Sequence, residues 1–141
     1  MTDHETAAPS LLLISGAFIK RPGMFLGTPI RYDRVTAFIS GYTLAIDQAR
    51  DALSRHTAED FRAVGIEGQF QQQLRDEGRL RWDRWDLTIA AEAIDWTHEE
   101  PPVVGDFTEE QHRAAIAHLQ PLLERMFALP NSFTLGSGDE A

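Results

Sequence analysis

The chain has 141 residues and no cysteine. That absence excludes disulfides, thiolate metal sites, iron–sulfur clusters and cysteine nucleophiles. Lysine is nearly absent too: Lys20 is alone among 13 basic residues, the rest being arginine. Arginine over lysine, with many alanines, points to a GC-rich genome. No apolar run reaches the length of a membrane span. The run Leu11 to Ile14 is too short for a secretory signal, and the Thr-Asp-His-Glu start lacks a basic flank. No membrane association is expected, and the cytoplasm is the expected location. Alternating strand patterns are also missing; Phe133 to Leu135 would pair at most as an edge.

What is present is acidity and helical periodicity. The formal charge is −9, which opposes non-specific nucleic-acid binding and suits a basic partner. The charge is uneven. Asp86, Glu92, Asp95, Glu99, Glu100, Asp106, Glu109 and Glu110 lie between Trp85 and His112 with no lysine or arginine among them. Lys20, Arg21, Arg31 and Arg34 face only Asp33 between Leu11 and Arg34. The acidic run is either a solvated face or a docking surface.

Ser10 can cap a first helix over Leu11–Ile19, stopped by Pro22 and Gly23. A long second helix spans about Tyr32–Arg55, with an apolar stripe of Val35, Phe38, Ile39, Tyr42, Ala45, Ile46, Ala49, Ala52 and Leu53. Gly41 inside it suggests close helix packing. A third segment begins near Thr57 and ends near Gly78, as one helix or two, with Phe61, Val64, Phe70 and Leu74 as its apolar side. A fourth helix is expected over Leu80–Trp96, apolar around much of its circumference. The last starts at Thr108, where Gln111 completes a capping box. It carries Ala115, Ile116, Leu119, Leu122, Leu123, Met126 and Phe127 inward, and Pro121 predicts a kink or a break. The expectation is an all-α, single-domain bundle of about five helices over residues 10–130, with a disordered leader at 1–9 and a flexible tail at 131–141.

Three groups of residues invite chemistry. Lys20-Arg-Pro-Gly-Met-Phe-Leu-Gly27 reads as a tight corner in which Met24, Phe25 and Leu26 plug the core and the two cations stay at the rim. A glycine loop beside Lys20 and Arg21 can hold an anion, but the spacing is not that of a phosphate loop. In the Trp82-Asp-Arg-Trp-Asp86 string, Asp83 and Asp86 are placed to share a helix face. They can act as a carboxylate pair or form local salt bridges with Arg79, Arg81 and Arg84. Asp95 with His98, and His112 with His118, lack converging partners for a metal and read as solvent-facing. No metal, cofactor or catalytic set is assigned, and enzymatic activity is not the expectation.

One resemblance bears on the same segments. The string Arg21-Pro-Gly-Met-Phe-Leu-Gly27, the pair Tyr32-Asp33 and the sequence Ala37-Phe-Ile-Ser-Gly-Tyr42 with Ala45 resemble a group of small actinobacterial proteins of uncharacterised function. Their pattern is RPGMY(L/V)G followed by a helix carrying GY. Phe25 stands where that group commonly has tyrosine. Similar RPGM strings in the ATP-binding domains of type II topoisomerases come with an acidic-Asn helix and further glycine motifs that this chain lacks. Some members of the small actinobacterial group resemble immunity proteins of polymorphic toxins. Small size, the lack of a catalytic set and the acidic run point, with this resemblance, to a non-enzymatic acidic binding protein that neutralises a basic toxin, and the acidic run offers Glu99, Glu100, Glu109 and Glu110 as the docking residues. The alternative is a small-molecule-binding protein or cofactor-free enzyme. Its interhelical pocket would be lined by Tyr42, Trp82 and Trp85, with Arg21, Arg31 or Asp86 as polar anchors. A homodimer is a third arrangement.

Overall fold

The computed structural model describes residues 20–57 and 65–128, with the side chains of Phe25, of residues 53–57 and of Ala128 outside that description. The expected leader, first helix and tail lie outside it too, as do Phe61 and Val64. Within the described residues the chain is all-α. The helices are α1 (Pro22–Leu26), α2 (Tyr32–Thr57), α3 (Ile66–Asp76), α4 (Trp85–Ala93) and α5 (Glu109–Ala128), with a 3-10 turn at Val104–Asp106. No described helix is long and apolar enough to cross a membrane.

α5 is the hub, touching α2, α3 and α4. Its inner stripe of Ala115, Ile116, Leu119, Leu122, Leu123 and Met126 is buried, as the periodicity predicts. The capping box is formed in full. Gln111 N–H donates to Thr108 Oγ1 at 3.1 Å, and Thr108 N–H donates to Gln111 Oε1 at 2.9 Å. The helix runs through Pro121 without a break, and Pro121 is exposed.

α3 contributes Ile66, Phe70 and Leu74 to the core, one residue per turn. Phe70 meets Trp85 of α4 edge to face, 5.8 Å between ring centres. In α2 the inward line is Tyr32, Val35, Ile39, Thr43 and Arg50, whereas Ala45, Ala49 and Ala52 of the expected stripe face outward. Thr43 can be buried because its hydroxyl donates to Ser40 O at 3.0 Å. Gly41 is exposed, and a Cβ there would meet nothing within 4 Å among the described residues, so none of these packs closely on it.

The fourth helix is shorter than its apolar content suggests. Residues 80–84 form a turn in which Trp82 and Asp83 take left-handed φ values of 56° and 50°. Buried Thr88 enforces this. It accepts Arg81 N–H at 2.9 Å, and its hydroxyl proton points between the carbonyls of Arg84 (2.8 Å) and Arg81 (3.1 Å). Asp83 and Asp86 therefore do not share a helix face. At the KRPGMFLG corner, Pro22–Leu26 make one helical turn closed by Gly27 N–H to Gly23 O at 3.0 Å, with φ of 81° at Gly27. Leu26 packs against the core as expected, but Met24 is 70% exposed and plugs nothing. It sits on the outer side of that single turn.

The first N–H groups of a helix have no partner within it. Here the first residues of three helices find side chains on other helices. Tyr32 N–H donates to His112 Nδ1 at 2.8 Å, so α5 caps α2. Ile66 N–H donates to Asp47 Oδ1 at 3.3 Å, so α2 caps α3. A side chain at Gly65 would run into that same carboxylate. Trp85 N–H donates to Gln71 Oε1 at 3.1 Å, so α3 caps α4. Tyr32 also reaches α4, its hydroxyl donating to Asp86 O at 2.7 Å. Burial, reinforced by the Asp86 and Glu92 charges, drives the Tyr32 phenol well above its ordinary range and keeps it a donor.

The bond to Tyr32 uses the Nδ1 lone pair, so neutral His112 carries its proton on Nε2. Burial first, and the Arg31 charge second, lower the His112 pKa from 6.5 against an opposing pull from Asp33. Below pH 6.5 the unfolded chain takes up a proton that the folded chain resists, so stability falls as pH drops from there to the lowered folded value. Urea denaturation across about pH 5 to 7.5 is expected to show that slope, and His112→Asn, which keeps an acceptor, to flatten it. Gln71→Ala removes the α4 cap and is expected to cost about 1 kcal/mol in the same assay.

Candidate functional site

The acidic run between Trp85 and His112 spans α4 and the connection to α5. Three of its eight acids are engaged. Asp86 pairs with Arg84 at 2.7 Å, Glu92 with Arg79 at 2.7 Å and His118 at 3.0 Å, and Glu109 with Arg113 at 2.9 Å. Asp95, Glu99, Glu100, Asp106 and Glu110 are exposed and have no ion pair among the described residues.

Glu92 belongs to a latch rather than a surface. Burial raises its carboxyl, but the hydrogen bonds from Arg79 and His118 outweigh that and leave it below the usual carboxylate range. Arg79 continues to Glu77 at 3.3 Å, and Glu77 bonds Arg125, which holds Gln73 at 2.7 Å. The latch joins the end of α3 to α4 and α5.

Residues 95–100 leave α4 at Asp95, in a left-handed conformation with φ of 56°. Four of the segment's carbonyls are then bound by side chains. Arg81 donates to Trp96 O at 3.1 Å and His98 O at 2.7 Å. Trp82 Nε1 donates to Glu99 O at 2.8 Å, and Trp96 Nε1 donates to Glu100 O at 2.7 Å. The Arg81 guanidinium lies 4.1 Å over the Trp82 ring, a cation–π contact that fixes both groups. Trp96 meets His98 edge to face at 4.8 Å. Pro101 and buried Pro102 then stiffen the exit. With the main chain held inward, the Glu99 and Glu100 side chains stand in solvent, and Val103 beside them is 63% exposed. This is an acidic, backbone-anchored loop with an apolar point next to it. It suits Arg or Lys side chains with aliphatic stems.

The other predicted residues lie apart. Tyr42 stacks on Phe38 and meets Phe127, each at 6.1 Å. Trp85 is core, against Phe70. Trp82 serves the loop. Arg31 is bidentate to Asp33, at 2.9 and 2.6 Å; that hydrogen bond lowers the Asp33 pKa and raises that of Arg31. Arg21 is exposed, and Asp86 is held by Arg84. Tyr42, Trp82 and Trp85 thus each have their own ring or hydrogen-bond partners rather than a shared one. Glu109 and Glu110 open α5, next along the chain from the loop, with Glu109 spent on Arg113. His112 is buried rather than solvent-facing, and His118 bonds Glu92. Asp95 and His98 follow the end of α4, so they form no helical pair. Among the described residues no group of three or more His, Asp or Glu is placed to hold a metal ion.

Arg81, which anchors the loop, is not revealed by the sequence pattern, because its partners are main-chain carbonyls. The available signal was two half-buried tryptophans, Trp82 and Trp96, whose indole N–H groups each need an acceptor. No family model matches the chain, and no curated protein or solved structure matches it either. Arg81→Lys loses the fork that spans two carbonyls. It is expected to cost about 1–2 kcal/mol and to speed amide exchange in residues 96–100 while α5 stays protected.

Proposed function

We propose that the protein is a non-enzymatic binding protein whose 95–100 loop docks a basic protein partner, in the manner of an immunity protein. The observation that carries the reading is the anchoring of four loop carbonyls by Arg81, Trp82 and Trp96. A loop held before it binds loses little conformational freedom on association, so more of the contact energy appears as affinity. Exposed carboxylates at Asp95, Glu99, Glu100, Asp106 and Glu110 supply attraction and steering, and Val103 supplies an apolar contact. The resemblance of the KRPGMFLG and Gly41-Tyr42 segments to small actinobacterial proteins, some of them immunity-like, supports the same reading and a cytoplasmic setting. Glu109 is the weakest of the expected docking residues, since Arg113 already occupies it.

An immunity gene commonly stands beside the gene of its target, so the product of an adjacent gene is the partner to test. Titration calorimetry is expected to show binding that weakens with salt. The double change Glu99→Lys and Glu100→Lys should weaken it by roughly a hundredfold, with the melting temperature unchanged. Absence of a basic neighbouring product, or binding indifferent to both salt and charge reversal, refutes the proposal.

A further inference from the structure

The chain's lone lysine lies at a hollow that the docking reading leaves unused. Lys20, Pro22 and Ile30 form one wall, and Arg113, Ile116, Ala117 and Gln120 of α5 form the other. The hollow is open to solvent on one side and has a volume of about 250 Å³. Local sequence builds both walls. Pro22 starts the single turn of α1, and Gly23 leaves room for the Ile30 side chain, which lies 3.3 Å from where a Cβ would stand. On α5, positions 113, 116 and 120 fall on one face. The KRPGMFLG corner is thus one half of a cavity as well as a connection between elements.

The chemistry is divided within it. Part of the lining is apolar: Pro22, Ile30 and Ile116. The rest includes two cations and an amide, in a chain whose net charge is −9. Lys20 has no ion pair among the described residues, and Arg113 binds Glu109 through Nε and Nη2, both to the same oxygen at 3.2 and 2.9 Å. That pair is exposed, 61% for Arg113 and 63% for Glu109, so it holds the guanidinium weakly. Its Nη1 has no partner among the described residues.

We infer that this hollow binds a small organic carboxylate with a short aliphatic body. The carboxylate sits between the Lys20 ammonium and the Arg113 guanidinium, Gln120 donates to it, and the hydrocarbon covers Ile30 and Ile116. A volume of about 250 Å³ accommodates roughly ten non-hydrogen atoms. It is too small for a long acyl chain, and an inorganic anion would leave its apolar part wet. This binding does not depend on the acidic loop, which lies on other elements.

The test is a titration of the 15N-labelled full-length protein with hexanoate, followed by amide shifts, with hexanol and inorganic phosphate as controls. The expected result is saturable shifts at Ile30, Ile116 and Gln120, with affinity on the order of millimolar for a ligand of this size. Hexanol and phosphate should each bind at least about fivefold more weakly, and Lys20→Met or Arg113→Gln should weaken hexanoate by about fivefold. Arg113→Lys should restore part of the loss. No saturable shift at these residues overturns the inference. So does equal binding of phosphate, which would reveal a cationic patch only, or of hexanol, which would reveal an apolar dent only. Retained amide dispersion in each variant separates lost binding from lost folding.

Discussion

Three of the four long helices begin on a hydrogen bond to a side chain from another helix, and the rest of the structure depends on this constraint. His112 holds the first residue of α2, Asp47 that of α3 and Gln71 that of α4. A helix docked only by apolar contacts can slide or rotate by part of a turn at small cost. A helix whose first N–H must reach one imidazole or carboxylate cannot, because a shift of one residue would leave a donor unpaired. The caps thus set helix register, and the core then fills the space they define. Tyr32 is the tightest case: its backbone binds α5 and its hydroxyl binds α4.

The same economy governs the face proposed for binding. Arg81 is placed by Thr88 from within the core, and Arg81 and Trp82 in turn place the loop. The acids there are free for a partner because backbone carbonyls, rather than carboxylates, satisfy the cation. Elsewhere the division is reversed: Glu77 and Glu92 are spent on Arg79 and Arg125 to bind the helices together. Acidic residues close in sequence therefore have different duties, decided by which cation the fold brings near.

The sequence was legible where one local rule dominated. The capping box at Thr108 and the stripe from Ala115 to Met126 emerged as expected, since nothing in the fold opposes them. It was less legible where a distant or polar group intervened. Thr43 and Arg50 occupy inward positions of α2 that an apolar pattern cannot assign. Thr88, an ordinary helix residue by composition, shortens α4 by drawing Arg81 into a turn. Met24 looked like core by hydrophobicity, yet a five-residue helix has one inner side and Leu26 takes it. At the candidate site the acids could be read from the sequence, whereas the anchoring of their backbone could not. Carbonyl acceptors are the same in every residue type.

The bond between Tyr32 and His112 joins residues 80 positions apart. In a chain made from its N-terminus, α2 is complete long before α5 exists. Until then its inner face has no central partner and its first turn no cap. The other two interhelical caps join near neighbours in sequence and can form during synthesis, but the one that fixes α2 arrives last. The relay of caps from α2 to α3 to α4 thereby gains its first member only with the final helix, whose own start is held by its Thr108–Gln111 box. A chain interrupted between α4 and α5 could still form the two nearer caps, but α2 would lack the bond that holds its first residue, and all three helices would lack the hub they pack on.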